Sequence, residues 1–273
     1  MTVLDQEEWQ ARAEAHRARL SPCVEPHLAR RAAGIAHPVH DFLFTYYSQR
    51  PAQLLRWHPG FALAEPAERE SVEQRRPLVE QLHALLTATA SRTGNFGCFG
   101  LHEWAMVHGG TDNRHPVPLR LGQAETDAVT ESHRIACSHF DAFRFFTPSA
   151  RPLNTLSPGR DDRPAYEQPG CLHGGMDLYK HAFRLSPMVC SDLVADAFEL
   201  AWDIRILDMR AAPYDMTGVV LDPTGEEWTP VRIETPEGKR EYADAQRAFA
   251  ERAAPVRQRL IDECEGLLEI AVP

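Results

Sequence analysis

The run SDLVADAFELAWDIRILDMR, residues 191–210, decides the fold class of this chain. Its apolar residues recur at spacings of three and four and cover a wide face, which predicts a long helix with a buried side. Ser191 is the predicted N-cap, because its side-chain oxygen can accept a bond from a free N–H of the first turn. We therefore expect a helical protein built around this segment.

Further segments outside this run also have helical patterns. Prolines at first-turn positions mark two helix starts, and Pro77 and Pro255 are expected to interrupt longer helices. A hairpin around the turn at 223–225 predicts a small β element, and a further short strand is expected before residue 122. The predicted helices are 4–20, 26–36, two short ones between 37 and 59, 66–91, 101–108 (helix or strand) and 235–268; the predicted strands are 117–121, 219–221 and 228–233.

We find no internal repeat and no linker, so we predict one domain over residues 1–273, mostly α with a small β element. Residues 148–170 are rich in proline and glycine and predict a long loop without regular structure, of the kind that often wraps a functional site. The 273 residues suffice for a full hydrophobic core.

Charge and hydropathy narrow the function classes. The formal net charge is −10, and nucleic-acid binders usually carry a basic balance, so nucleic acid is disfavoured as a partner without being excluded.

No apolar run approaches 18 residues, which predicts no membrane span. The N-terminus lacks a secretion signal, so a cytoplasmic location is expected. Phosphate-binding glycine motifs are missing, which indicates no nucleotide cofactor.

Three groups of cysteine and histidine are the main chemical signal. The first lies in ESHRIACSHFDAFRFF, residues 131–146, where His133 and Cys137 are neighbours in either a strand or a helix. The others are CFGLHEW at 98–104 and CLH at 171–173. Histidine and cysteine together favour zinc, iron or a haem. The predicted pool of metal ligands is His102, His133, Cys137, His139 and His173.

These groups predict a metal-dependent enzyme acting on a small molecule, with iron or zinc preferred and haem as a lesser alternative. The other interpretation is that the histidines satisfy buried hydrogen bonds and the cysteines are core residues. Glu103, Glu131 or Asp141 is the expected acid or base. A metal-free alternative uses Cys171 as a nucleophile, activated at a helix start, with His173 or His139 as its base.

Charged residues among apolar ones allow two interpretations. They are internal ion pairs or solvated helix edges, or they recognise an anionic small molecule. The candidate substrate-binding residues are Arg144, Tyr179, Lys180 and Arg210.

Several blocks also resemble a known family: HPVHDFLFTYY at 37–47, CSHFDAFRFF at 137–146, EQPGCLH at 167–173 and IETPEG at 233–238. The chain resembles bacterial, mainly actinobacterial-type, proteins that carry the name 3-methyladenine DNA glycosylase, and the resemblance spans most of the chain. The His133–Cys137 spacing is similar to the zinc half-site of the 3-methyladenine DNA glycosylase I family. The other signatures of that family and the helix-hairpin-helix motif are absent.

The resemblance implies a second function, excision of a base from DNA. Such an enzyme needs an aromatic pocket for the flipped base, and Tyr46, Tyr47, Trp57 or Trp104 could form it. A third interpretation is a non-catalytic small-molecule binding protein, which is favoured if the histidines lie apart in the fold.

Overall fold

A computed structural model describes residues 5–62, 65–110 and 117–270. It is a single helical domain, as the sequence predicts. The α-helices are α1 (Gln6–Ala32), α2 (Phe42–Thr45), α3 (Pro51–Leu54), α4 (Pro66–Ala90), α5 (Leu101–Ala105), α6 (Gln123–Glu131), α7 (Phe140–Phe143), α8 (Arg163–Tyr166), α9 (Leu172–Leu185), α10 (Ser191–Ala211) and α11 (Pro236–Ile270).

Helix α10 is the centre of the fold, and most of its side chains are buried. It packs along α9 and α11, and α4 packs against the other side of α11. The predicted helix is thus confirmed, although its cap differs by one residue. Cys190 is the N-cap, and Ser191 is the first helical residue, whose hydroxyl accepts a bond from the His58 N–H at 2.9 Å.

Prolines do not interrupt the long helices, so the predicted breaks are wrong. Pro22 and Pro26 lie inside α1, Pro77 inside α4 and Pro255 inside α11. Each interior proline removes one helix bond and costs about 3 kcal/mol in an isolated helix. Burial of the apolar faces of these helices outweighs that cost, and residues 26–32 of the predicted separate helix at 26–36 are the last two turns of α1.

The β structure among the described residues is limited to isolated bridges. The predicted hairpin forms a minimal turn, with a Val220–Glu227 bridge and a bond from the Leu221 N–H to the Glu226 carbonyl at 2.8 Å. The strand predicted at 117–121 reduces to a bridge between Leu119 and Tyr214.

The proline- and glycine-rich segment 148–170 is more ordered than predicted. It contains a 3-10 turn, Arg151–Leu153, and α8, which packs against α4. The Asn154 side chain accepts a bond from the Cys137 N–H at 2.7 Å and donates to the Cys137 carbonyl at 3.0 Å. The segment is thereby fixed to the stretch that contains Cys137 and His139.

None of the helices described is both long enough and apolar enough to cross a membrane.

Candidate metal centre

The stretch 131–146 is neither the strand nor the long helix that its pattern allows. Ile135 forms a parallel bridge to Asn154, and helical structure begins only at α7, for which His139 is the N-cap. This irregular path brings Cys137 and His139 into the interior. His133 stays at the edge, where its Nδ1 lies 2.6 Å from the Val129 carbonyl oxygen. His133 and Cys137 therefore do not face a common site.

Three side chains from three helices converge at the centre of the protein: His102 of α5, His173 of α9 and Asp208 of α10. One potential ligand atom from each lies within 4.8 Å of the others. His102 Nε2 is 3.1 Å from Asp208 Oδ1, and these residues are 2% and 0% exposed. The His102 and His173 rings are 4.4 Å apart at their centroids and nearly perpendicular.

His102 Nε2 and Asp208 Oδ1 form a buried ion pair at 3.1 Å, although the two atoms are not aligned for a hydrogen bond. Buried polar atoms without an aligned hydrogen bond are rare because each costs about 1–3 kcal/mol. With the second imidazole of His173 beside it, this pair offers three potential ligand atoms to a cation.

The electrostatics of the three residues are strongly coupled. Burial alone would lower the pKa of His102, but the Asp208 carboxylate outweighs burial and raises the pKa to about 10. Burial would raise the pKa of Asp208, but the charge of His102 holds it below its usual range. Burial and the neighbouring His102 hold the pKa of His173 well below its ordinary value. His173 is thus kept neutral, the form that binds metals, whereas His102 is protonated beside Asp208 and would have to release that proton to bind one.

The other oxygen of Asp208 is fixed from within its own helix. Arg205 Nη1 donates to Asp208 Oδ2 at 2.8 Å and lies 3.7 Å from Glu103 Oε1. Arg205 also stacks on the Phe42 ring at 4.2 Å. Glu103 Oε2 is buried without a hydrogen-bond partner in the part of the chain described. The predicted acid Glu103 therefore lies beside the cluster, and Arg205 orients Asp208.

A second polar cluster adjoins the first through His139. Its Nε2 is 3.3 Å from Asp177 Oδ2 and 3.8 Å from Glu167 Oε1, and its ring lies 5.3 Å from that of His173. Asp177 is the hub of this cluster. Its carboxylate also accepts bonds from Tyr47, Arg163 and Lys180 at 3.0, 2.9 and 3.4 Å.

Three thiols line a small cavity beside the histidines. Cys98, Cys137 and Cys171 contribute to its wall together with His102 and His173, and the cavity volume is about 10 Å³. That volume holds roughly one water molecule, so a porphyrin does not fit here in this conformation. Cys171 is the N-cap of α9, as expected for an activated nucleophile. Burial and the two neighbouring thiols nevertheless raise its pKa well above normal, which opposes thiolate formation.

The remaining predicted residues differ in how close they lie to the cluster of His102, His173 and Asp208. Lys180 joins the second cluster, bonding Asp177 and also Asp141 at 3.2 Å. Arg144 lies outside Asp141, at 3.3 Å. The others are remote: Glu131 pairs with His108 near the surface, Tyr179 is packed in the apolar core, and Arg210 binds Thr229 and Glu241 at the end of α10.

The four aromatic residues proposed for a base pocket do not form one. Trp104 is fully buried and donates to the Ala211 carbonyl. Trp57 lies on another side of the protein and donates to Asp192. Tyr46 and Tyr47 are neighbours with ring centroids 5.4 Å apart, and Tyr47 is engaged by Asp177.

A second histidine group, His37 and His40 with Asp222, is also compact and is largely hydrogen-bonded, although His40 Nδ1 and Asp222 Oδ2 lack an aligned hydrogen bond in the described residues. His37 Nδ1 accepts two backbone N–H bonds, and Nε2 lies 2.9 Å from the Val220 carbonyl. His40 Nε2 accepts the Asp222 N–H, and Asp222 pairs with Arg30 at 2.7 Å. Because both nitrogens of His37 are occupied, we interpret this group as structural.

Sequence reasoning placed His102, His139 and His173 in the candidate site but missed both carboxylates. Spacing contains a signal for each. Asp177 follows His173 by four residues and thus shares its helix face, and Asp208 follows Arg205 by three among the buried residues of α10.

Comparison with known proteins gives no further guide: no protein-family profile, curated protein or solved structure matches the chain.

Proposed function

We propose that this protein is a metal-dependent enzyme acting on a small molecule, with His102, His173 and Asp208 as the protein ligands of an iron or zinc ion. The observation that carries this proposal is the buried convergence of His102, His173 and Asp208, with one potential ligand atom of each within 4.8 Å of the others and His102 Nε2 paired with Asp208 Oδ1 at 3.1 Å. Two histidines and one carboxylate are the ligand set of many catalytic iron(II) and zinc sites, which keep other positions open.

The surrounding residues support a catalytic rather than a purely structural role. Structural zinc sites close the shell with four protein ligands, commonly thiolates, whereas this cluster supplies three from nitrogen and oxygen. Arg205 orients Asp208 as an outer-shell partner, which is a feature of tuned metal sites. The His139–Asp177 pair adjoins His173 and offers a group that can move a proton beside the centre.

The test is metal analysis with X-ray absorption on the full chain. Purified protein, reconstituted anaerobically with iron(II) or with zinc, should bind one ion per chain. The absorption fine structure should show nitrogen and oxygen ligands at about 2.0–2.2 Å and no sulfur at about 2.3 Å. A shell dominated by sulfur would instead assign the ion to Cys98, Cys137 and Cys171 and overturn the ligand set.

Two histidine variants provide a matched comparison. His173→Ala should lower metal affinity at least tenfold, because it removes a direct ligand and even outer-shell changes cost about 10–100-fold. His133→Ala should retain full affinity, since its ring bonds to the Val129 carbonyl away from the cluster. Equal affinities in the two variants would contradict the proposed centre.

A further inference from the structure

The largest described cavity lies away from the metal centre and has a basic wall. Its volume is about 660 Å³, within the usual range for small-molecule sites. It is formed where α3 and the following loop meet α4, the end of α9 and the start of α10. Residues that matter for binding are Arg56, Arg75, Arg184, His16, Trp57 and Phe183.

The arginines of this groove have no carboxylate partner among the described residues. Arg56 and Arg184 contact no carboxylate in the described part of the chain, and Arg75 donates only to the carbonyls of Arg184 and Ser186, at 3.4 and 3.0 Å. Burial and the charge of Arg163 even lower the pKa of Arg184 below its normal value. Three arginines without counter-charges in a chain of net charge −10 leave a local positive field.

A buried polar atom in the wall is also unsatisfied. His16 is 4% exposed, and its Nε2 lies 2.9 Å from the Leu54 carbonyl oxygen. Its Nδ1 is buried without a hydrogen-bond partner among the residues described. The rest of the wall is apolar, formed by Leu54, Leu78, Phe183 and Val194. The groove thus combines hydrogen-bond capacity, positive charge and apolar surface.

We propose that this groove binds a small amphipathic anion, a phosphate or carboxylate attached to an apolar or aromatic body. The arginines would hold the anionic group, since guanidinium groups match phosphate and carboxylate oxygens in pairs. The apolar wall would cover the body. The dimensions and the acidic charge of the whole chain favour a small ligand over a polyanion.

The groove is separate from the metal centre. His173 and Arg184 lie eleven residues apart on α9, or about 16 Å along the helix axis. The proposal is therefore independent of the proposed function, and the ligand occupies a second site.

Calorimetry with two probes of the same shape tests the charge requirement. Titration of the full chain with 1-naphthyl phosphate should show saturable binding, and uncharged 1-naphthol should bind at least tenfold more weakly. Equal binding of the two probes would overturn the proposal, because the groove would then be only apolar.

Variants locate the site. Arg56→Gln combined with Arg184→Gln should weaken the binding of 1-naphthyl phosphate about tenfold or more, since both changes remove a positive charge that would bind the phosphate. These two side chains have no described partner, so the fold should be preserved, and circular dichroism would verify it. Arg240→Gln, on the exposed face of α11, is the matched control and should bind like the parent.

Two other outcomes would also overturn the proposal. Unchanged affinity in the double variant would place the probe elsewhere. Displacement of the probe by a short DNA duplex at lower concentration, with a steep dependence on salt, would identify the groove as a nucleic-acid surface.

Discussion

The two oxygens of Asp208 have different environments although they belong to one carboxylate. Oδ2 accepts an aligned bond from Arg205 at 2.8 Å, whereas Oδ1 faces His102 Nε2 at 3.1 Å without alignment. In the structural group of His37 and His40, by contrast, the nitrogens of His37 meet backbone partners in hydrogen-bond geometry. Occupation of both His37 nitrogens by backbone groups is what distinguishes that group from the cluster of His102, His173 and Asp208.

The buried imidazole of His181 gives a prediction for the stability of the protein in acid. Burial lowers its pKa to about 3, from an ordinary value of 6.5. The unfolded chain therefore binds the extra proton between these values, so the stabilisation is complete above pH 6.5 and is lost as pH falls towards 3. From pH 6.5 to 4.5, His181 should reduce the free energy of unfolding by about 2 kcal/mol.

Urea unfolding at a series of pH values checks this prediction. His181→Leu should flatten the fall in the free energy of unfolding over that window by about the same amount. His181→Gln, which also does not titrate but packs differently, should give the same flattening. A slope that persists in both variants would show that other groups control acid unfolding. The lowered pKa of His40, also about 3, supplies part of the remaining slope.

The sequence indicated two of the three proposed ligands. His102 and His173 each lie within four residues of a cysteine, and this grouping made them recognisable. Asp208 was harder to assign, because a carboxylate next to an arginine on a helix usually forms an ordinary ion pair. Its role depends on α5 placing His102 opposite it, which is a tertiary contact and leaves no local pattern.

At the scale of elements, α9 and α10 hold the site by their close approach. Gly175 of α9 packs against Ile204 of α10: a Cβ added at Gly175 would lie 2.7 Å from Ile204 Cδ1. Gly175 is two residues from His173, and Ile204 is one helical turn from Asp208. The spacing of the two helices therefore determines the spacing of the two ligands.

A double-mutant cycle tests this contact. Gly175→Ala should destabilise the protein by about 1–3 kcal/mol, because the added methyl overpacks the core. Ile204→Val removes the opposing Cδ1 and alone should cost about 0.5–1.5 kcal/mol. The double variant should lose less free energy of unfolding than the two single variants lose together, by about 0.5 kcal/mol or more. Strict additivity in chemical denaturation would show that the methyl is accommodated in another way.

Helix bounds were predicted well where the apolar pattern extends over many residues, and they were predicted wrongly at prolines. The wide apolar face of α10 determined its position to within one residue. Pro77 and Pro255 indicated breaks because a local rule disfavours proline inside a helix. In the folded protein α4 and α11 pack along one another, and this contact maintains both helices through their prolines.

At the scale of the whole molecule, one hydrophobic core contains residues from α1, α4, α5, α9, α10 and α11. The candidate centre lies where α5, α9 and α10 meet within that core. A ligand bound there contacts the elements that must separate on unfolding, so its binding energy adds to the stability of the complete domain.

Metal binding should consequently stabilise the whole protein. Iron(II) or zinc at a free concentration of 100 times Kd should raise the free energy of unfolding by about 2.7 kcal/mol, and far-UV circular dichroism and tryptophan fluorescence should shift together. Magnesium should have little effect, because it prefers oxygen ligands. In His173→Ala, whose metal affinity should be at least tenfold lower, the shift at the same free metal concentration should fall to about 1.4 kcal/mol or less. A full shift in that variant would locate the stabilising ion outside the His102–His173–Asp208 cluster.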